Sequence, residues 1–414
     1  MNELQAIVEA YGEARERGER AALGTVVNVI GSAYRRPGAR MLMTENGHTV
    51  GSISGGCLER DVAERAAQVM ASRTTRIIEY DTRGNEDIVW GLGLGCNGVV
   101  EVLLESLHEG SDGARALQFI AECLPARRSG ILATVIRAAK TTRQGRSLRY
   151  RAGEVGERLL LDEHGLCYEG SLADEELSAQ ICEDAREALA CGRAMIRSYG
   201  ADPDRMEIFF DVIMPPRALV IFGAERDAEP VVRLARMLGW HVSVVDTRAR
   251  SATPERFSEA DAVILCRAED TAARISLAPN TAVVVMTHNY LDDIALLRAL
   301  LPSPAGYIGI LGPKSRTAKL LEEIRDETHV TDAQMARLHG PIGLDIGAKT
   351  PEEIALAIIA EIKAVCEARG GGYLRDRNTP IHDTAAANFA TIEISVEPHT
   401  APRQNASLLF CRSS

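Results

Sequence analysis

The spacing of hydrophobic residues changes several times in the first hundred positions, which predicts a mixture of helices and strands. Apolar residues three and four positions apart indicate a helix, while runs rich in β-branched residues indicate strands. The Asn-Gly pair at 46–47 favours a tight hairpin turn. The predicted elements are a helix at 1–10, strands at 22–31, 41–44 and 49–53, a helix at 58–72, and strands at 77–80 and 97–104.

The pattern becomes more regular after residue 217. Short apolar runs alternate there with helical stretches, as in a parallel sheet that has helices on both faces. A last helix is predicted from Pro351 to about Ala368, because proline and acidic residues favour the first turn of a helix. The predicted strands of this part are 218–223, 241–246, 262–266, 282–286 and 307–311.

The domain organisation follows from length and from two prolines. A chain of 414 residues is too long for one ordinary core, and Pro215 and Pro216 cannot continue a helix or a central strand. We predict an α/β protein with a mixed α/β N-terminal domain at 1–213 and a Rossmann-like, doubly wound parallel sheet at 214–383. Residues 384–414 lack periodicity and are expected to form a loosely ordered tail.

Composition narrows the class of protein. Hydrophobic residues make up 46% of the chain but aromatic residues only 4%, which favours aliphatic α/β cores. The net charge of -11 argues against a nucleic-acid partner. The acidic, amphipathic start is unlike a signal peptide, and no run reaches the roughly 18 apolar residues of a membrane span. The nine cysteines are expected to be reduced thiols, as in a cytoplasmic protein. They include no CxxC pair, so we expect no structural zinc site.

Two glycine-rich segments that contain cysteine are the strongest candidates for a site. Residues 51–59 read GSISGGCLE, and residues 91–98 read GLGLGCNG. Glycines around a thiol suggest that backbone approaches a ligand closely, and Cys57 at a predicted helix N-terminus is favoured as a thiolate. We expect Cys57 and Cys96 to line one cleft that faces the carboxyl edge of the parallel sheet. The alternative is that small thiols only fill tight turns.

The turn after the strand at 218–223 has the context of a dinucleotide-binding fingerprint. Gly223 ends that strand, and Asp246 ends the next one, where an acidic residue would bind ribose. Glu225 stands where a second glycine should admit a pyrophosphate, which weakens the prediction of NAD(P) binding, although Arg226 could offset the charge. Arg248 leaves the preference between NAD and NADP open.

Further polar residues follow strands of the parallel sheet or lie in a basic loop. His288 is a candidate acid/base, although a loop histidine that satisfies local carbonyls is at least as plausible. Lys314 and Arg316 open a helix and suit a phosphate, and their alternative is a solvated helix start. Arg36 and Arg40 could hold an anion or belong to a wet surface loop.

Several of these motifs together resemble the xanthine dehydrogenase accessory family, XdhC/CoxI. The resemblance covers both domains, which makes it more specific than one glycine pattern. Where the family usually reads Gly-Ala-Gly-His-Asp, residues 223–227 read Gly-Ala-Glu-Arg-Asp, which leaves any role of that loop in doubt. The motifs are RPGARM at 36–41, GSISGGCLE at 51–59, VVMTHNY at 284–290, YIG at 307–309, LGP at 311–313 and PIGLDIG at 341–347.

The resemblance implies a chaperone that binds the molybdenum cofactor, supports its sulfuration and delivers it to a molybdenum hydroxylase. Such a cofactor has a phosphate, which basic loops would hold, and a soft metal centre, for which Cys57 and Cys96 are the expected ligands. As partners we expect a hydroxylase client and a cysteine desulfurase, and we expect a homodimer. The expected cofactor-binding residues are Arg36, Arg40, Ser54, Gly55, Gly56, Cys57, Cys96, Gly223, Arg226, Asp246, Lys314 and Arg316.

An enzymatic function is the alternative to a chaperone without its own turnover. The chain could be an NAD(P)-dependent oxidoreductase with His288 as its acid/base, or a sulfur-transfer enzyme in which Cys57 is the nucleophile or persulfide carrier. The altered glycine loop favours the chaperone.

Overall fold

The computed structural model of the protein describes residues 3–83, 98–138, 154–170, 175–200, 205–248, 252–327 and 330–379. Three β-sheets organise these residues, two within the first 213 positions and one after them. No helix in the described ranges combines the length and apolarity that crossing a membrane requires. Residues 91–97 of the second cysteine segment, which include Cys96, and the predicted tail at 384–414 lie outside the described residues.

The first sheet is entirely antiparallel and has the strand order β3-β2-β1-β5-β4. Helix α2 packs on one face of it with Val62, Ala66 and Val69 buried. We call this unit the first module. Its elements are α1 (Glu3–Glu16), β1 (Ala21–Gly31), β2 (Arg40–Thr44), β3 (Thr49–Gly51), α2 (Glu59–Ser72), β4 (Thr75–Asp81) and β5 (Gly98–Leu107).

The second sheet repeats this topology. Its strands are again all antiparallel, in the order β8-β7-β6-β10-β9, and α4 packs on it as α2 packs on the first sheet. We call this unit the second module. Its elements are α3 (Asp112–Ala126), β6 (Gly130–Arg137), β7 (Arg158–Leu161), β8 (Cys167–Glu169), α4 (Glu175–Cys191), β9 (Met195–Tyr199) and β10 (Met206–Ile213).

The two modules also match residue by residue. A β-bulge adds Val27 to β1 and Ile136 to β6 at the same point of each sheet. Three strand sequences correspond without a gap: ALGTVVNV at 22–29 with ILATVIRA at 131–138, RMLMTENG at 40–47 with RLLLDEHG at 158–165, and VEVLLESL at 100–107 with MEIFFDVI at 206–213. The region before residue 214 therefore consists of two copies of one module.

Two buried ion pairs join the modules reciprocally. Arg40, the first residue of β2, pairs with Asp211 of β10, and Arg158, the first residue of β7, pairs with Glu105 of β5. Each acid is the third residue from the end of its strand, and all four side chains are at most 7% exposed. Aliphatic residues from both modules, among them Leu23 and Leu132, share one core beside these pairs.

The third sheet is parallel, with the order β13-β12-β11-β14-β15-β16, which confirms the predicted doubly wound fold. Helices α5 and α10 cover one face, and α7 and α8 cover the other. Its elements are β11 (Ala218–Phe222), α5 (Ala228–Met237), β12 (His241–Asp246), β13 (Ala262–Leu265), α6 (Thr271–Arg274), β14 (Thr281–Val285), α7 (Tyr290–Leu300), β15 (Tyr307–Ile310), α8 (Lys314–Glu327), α9 (Asp332–Met335), β16 (Leu338–His339) and α10 (Pro351–Cys366).

Candidate functional site

Cys57 lies in a loop at 52–58 that leads from β3 into α2. It is a free, exposed thiol two residues before the first residue of the helix. The chain turns here because Leu58 is buried where the loop ends, and the apolar face of α2 then packs on the sheet. The structure therefore places Cys57 near a helix start, as the sequence predicts.

The loop is wrapped around the carboxylate of Glu59. Backbone N–H groups from Ile53 to Gly56, together with that of Leu58, donate to it at 2.9 to 3.2 Å. The hydroxyls of Ser52 and Ser54 donate as well. Burial by itself raises the pKa of Glu59, but the hydrogen bonds from these serines and from the backbone outweigh it and lower the pKa to about 2.

The sequence analysis relates the glycines to close approach of a ligand, whereas in the structure they allow the backbone to turn around Glu59. Gly55 and Gly56 have φ values of +86° and +119°, which residues with a side chain rarely adopt, and this conformation turns their N–H groups toward Glu59. The same groups are therefore engaged within the protein. The expected contacts of Ser54, Gly55 and Gly56 with a cofactor remain predictions.

A basic loop, residues 32–39, lies against the Cys57 loop. A side chain on Gly55 would begin 2.6 Å from the ring of Tyr34, which is itself 71% exposed. Glu3 of α1 connects the two loops, because its carboxylate accepts from the Ser52 N–H at 3.0 Å and from the guanidinium of Arg35. The structure thus brings the basic loop and the first cysteine loop together.

Arg36 and Arg40 have opposite environments in spite of their proximity in sequence. Arg36 is half-buried, burial lowers the pKa of its guanidinium, and in the described part of the chain it has no ion-pair partner. Arg40 is turned into the interior, where it bonds Asp211 and the carbonyl oxygen of Gly38. An uncompensated, partly buried cation suits an anionic ligand, whereas Arg40 holds the modules together.

The position of Cys96 relative to Cys57 is not described, so the shared cleft stays a prediction. Within the described ranges, no group of three or more His, Cys, Asp or Glu side chains is arranged to hold a metal ion.

The second candidate region is the carboxyl edge of the parallel sheet, where β11 and β14 are neighbours. The order of strands reverses at this pair, which is where such sheets bind ligands. Gly223 has φ +117°, and a side chain there would begin 2.3 Å from the carbonyl oxygen of Met286. The glycine is therefore required by the close approach of two strand ends.

The acidic residue of the predicted fingerprint is fully engaged. One carboxylate oxygen of Asp246 accepts from the Ala224 N–H at 2.8 Å, and the other accepts from the Arg248 N–H at 2.8 Å. The Arg248 guanidinium also bonds Asp246 and reaches Glu225 at 2.9 Å. Arg226 is exposed. A nucleotide ribose would have to displace Arg248 before it reached Asp246.

His288 pairs with an acid from the neighbouring loop. Its Nε2 lies 2.9 Å from a carboxylate oxygen of Asp227, whose other oxygen is buried without a partner in the described part of the chain. His288 has φ +58°, a strained conformation for a residue with a side chain. The prediction of His288 as acid/base remains untested, and Asp227 is a partner that the sequence analysis missed.

The two cations at the start of α8 differ as Arg36 and Arg40 do. Lys314 is exposed. Arg316 donates twice to the buried Asp293, at 2.7 and 3.1 Å, and its guanidinium lies over the ring of Tyr290. Lys314 is therefore the freer of the two for a phosphate.

Models of known protein families match the parts of the chain that contain the Cys57 loop and the parallel sheet. A family model for the XdhC Rossmann domain matches residues 219–362, and one for the XdhC and CoxI family matches residues 14–81. A protein of Bacillus subtilis (strain 168), named a probable xanthine dehydrogenase subunit, is 32% identical over 347 residues, which are 84% of this chain and 93% of that protein. The chain belongs to the XdhC and CoxI family.

Two other proteins are similar to this XdhC and CoxI family member over most of their length. The molybdenum cofactor insertion chaperone PaoD of Escherichia coli (strain K12) is 23% identical over 353 residues, 85% of this chain and 86% of PaoD. A crystal structure described as a xanthine dehydrogenase from Bacillus halodurans superposes with a TM-score of 0.70 at 28% identity, covering 91% of this chain and 98% of that one. The Cys57 loop and the carboxyl edge of the parallel sheet both fall within ranges matched by the family models.

Proposed function

We propose that this protein binds the molybdenum cofactor at the Cys57 loop and acts as an accessory protein in the maturation of a molybdenum hydroxylase. The observation that carries the proposal is the contact between the Cys57 loop and the basic loop. The first of these loops carries the exposed thiol of Cys57, and the second carries Arg36, a partly buried cation without an ion-pair partner among the described residues. The relative PaoD, named a molybdenum cofactor insertion chaperone, supports this function.

The residues fit the chemistry of this cofactor. A thiolate is a soft ligand suited to a molybdenum centre, and a guanidinium is suited to a phosphate. Tyr34 adds an exposed aromatic ring against Gly55 of the Cys57 loop, on which a flat heterocycle would stack. Before delivery, Cys57, Arg36 and Tyr34 would hold and orient the cofactor, which supplies redox chemistry once it is in the hydroxylase. Sulfuration with a cysteine desulfurase, and a homodimeric assembly, are further parts of this proposal.

Replacement of Cys57 tests the site. In protein purified anaerobically from cells that make the cofactor, Cys57→Ala is expected to lower bound molybdenum and pterin by about tenfold or more, because the soft ligand is lost. Arg36→Ala is expected to weaken binding by about tenfold, the value of one charge-assisted hydrogen bond. The measurement is molybdenum by mass spectrometry and pterin by fluorescence.

Cys191→Ala is the matched control, since Cys191 is also a free, exposed thiol but lies at the end of α4 in the other module. It should leave both contents unchanged. Full molybdenum and pterin content in Cys57→Ala would contradict the proposed site.

The alternative function, an NAD(P)-dependent oxidoreductase, has the strand order of the third sheet in its favour. The bonds of Arg248 to Asp246 and Glu225 oppose it, because they occupy the acid that would recognise ribose. We expect isothermal titration to give dissociation constants above about 1 mM for both NAD and NADP.

Glu225→Gly serves as the comparison variant for this measurement. It removes the carboxylate that replaces the second glycine, so tighter binding by the variant alone would show that Glu225 excludes the nucleotide. Micromolar binding by the unaltered protein would favour the enzymatic alternative.

A further inference from the structure

Glu59 makes an unusual number of hydrogen bonds for a residue beside an exposed loop. Four donors converge on its Oε1 atom, namely the hydroxyl of Ser52 and the N–H groups of Ile53, Ser54 and Gly55. Three converge on Oε2, namely the Ser54 hydroxyl and the N–H groups of Gly56 and Leu58. A carboxylate has about four lone-pair directions, so several of these bonds are shared.

Apart from the buried side chains of Ile53 and Leu58, the loop has few other interactions that hold its shape. Residues 52–58 belong to no helix or strand, so their N–H groups have no ladder in which to pair. Apart from Glu59, the hydrogen bonds of these N–H groups are those of Ser52 to Glu3 and of Gly55 and Leu58 to the loop's own serine hydroxyls. The carboxylate is thus the common acceptor around which the backbone turns.

Cys57 is the exception within the loop. The N–H groups on either side of it, those of Gly56 and Leu58, both donate to Glu59. In the described part of the chain, neither the N–H nor the thiol of Cys57 has a hydrogen-bond partner, and the residue is exposed. Glu59 therefore fixes the peptide groups that flank the cysteine and leaves the cysteine itself available.

We propose that Glu59 is a positioning residue, which holds the loop in the one conformation that presents Cys57 to its ligand and engages the loop's glycine N–H groups so that they do not bind an anion. The identity of that ligand as the molybdenum cofactor rests on the proposed function. The shaping of the loop does not, because it follows from hydrogen bonds within the protein. An anionic group of the ligand then depends on Arg36 rather than on Gly55 and Gly56.

The series Glu59→Asp and Glu59→Gln tests this role without any cofactor. Glutamine keeps the shape but places an NH2 group against N–H and hydroxyl donors, and aspartate is one methylene too short to reach all of them. In Glu59→Gln we expect amide hydrogen exchange at 53–58 to be faster by about tenfold to a hundredfold, and alkylation of Cys57 by iodoacetamide to be faster as well. Glu59→Asp should give smaller changes in the same direction.

Glu64→Gln is the matched control, because Glu64 lies on the exposed side of the same helix and, among the described residues, pairs only with Arg60. It should alter neither measurement. Alkylation of Cys123, a buried thiol of α3, is measured by peptide mass spectrometry in the same samples and reports whether the fold is intact, because unfolding would expose it. An unchanged rate at Cys57 in Glu59→Gln, while Cys123 stays protected, would overturn the proposal.

The result is separable from that of the proposed function. Molybdenum retained by Cys57→Ala would remove the cofactor site but leave the exchange and alkylation results in place. Conversely, a Glu59→Gln protein with an unaltered loop would refute the positioning role even if Cys57 binds molybdenum.

Discussion

Arg158→Ala is expected to destabilise the first 213 residues by about 3–5 kcal/mol, the usual loss when one partner of a buried ion pair is removed. The arginine is 5% exposed and its partner Glu105 only 2%, so the substitution would leave a carboxylate buried without a counter-charge. Thr134 would lose a donor in addition. Urea denaturation followed by circular dichroism measures the change, and hydrogen exchange in β5 and β6 would assign it to the junction of the modules.

The duplication makes a matched prediction for the other pair. Arg40→Ala should cost a similar free energy of unfolding, because Arg40 and Asp211 occupy the corresponding positions. Arg60→Ala is the control for a surface ion pair and should change stability by less than about 0.5 kcal/mol. Stability losses for Arg158→Ala and Arg40→Ala no larger than that of Arg60→Ala would contradict the interpretation.

Gly51→Ala and Gly170→Ala are expected to be strongly destabilising single-methyl substitutions, each at the end of a matched hairpin. Both glycines have positive φ, +85° and +100°. A side chain on Gly51 would begin 2.4 Å from the carbonyl oxygen of Arg40, and one on Gly170 would begin 2.3 Å from that of Arg158. The conformation alone costs about 1–2 kcal/mol, and the clash with backbone adds to it.

Gly12→Ala is the control for this pair. Gly12 lies within α1, and a side chain there meets no atom within 4 Å. Alanine at this position should stabilise the protein by about 0.5–1 kcal/mol through its higher helix propensity. Thermal denaturation measures all three variants, and a Gly170→Ala protein as stable as Gly12→Ala would show that the two hairpins are not equivalent.

The duplication also bears on the number of sites in the chain. After Gly51 the first module continues as Ser-Ile-Ser-Gly-Gly-Cys, whereas after Gly170 the second continues as Ser-Leu-Ala-Asp-Glu-Glu. The shared glycine ends the hairpin that both copies need. The two further glycines and the cysteine occur in one copy, which is consistent with a binding role for that copy and a structural role for the other.

Local sequence is sufficient where local physics decides the structure. The central strands of the parallel sheet are continuous apolar runs buried on both faces, and the sequence predicts each of them to within one residue at either end. It also predicts the helix after Cys57, because the apolar residues of that helix recur at helical spacing. The spacing of apolar residues and the positions of turn-forming residues depend only on residues that are close in sequence, so both can be recognised without knowledge of the fold.

The repeat within the first 213 residues is present in the sequence, but pattern analysis does not find it. Its three matching strands are separated by unequal intervals, since 22–29 and 131–138 are offset by 109 positions and 40–47 and 158–165 by 118. The two copies are therefore not related by one constant sequence offset, which a search for a repeat period would need. Equal strand order and matching bulges make the correspondence visible.

The roles of the charged residues depend on the tertiary structure. Arg36 and Arg40 look alike in the sequence, yet Arg40 meets a carboxylate 171 positions away and Arg36 meets none in the described part of the chain. Asp246 stands in the place of a ribose-binding acid but is held by Arg248. A long side chain can reach several partners, and only the packing of distant segments selects among them. The sequence by itself thus determined the elements of the first module, the strands of the parallel sheet, the family resemblance and the cysteine loop, whereas the fold decided which charges are available to a ligand.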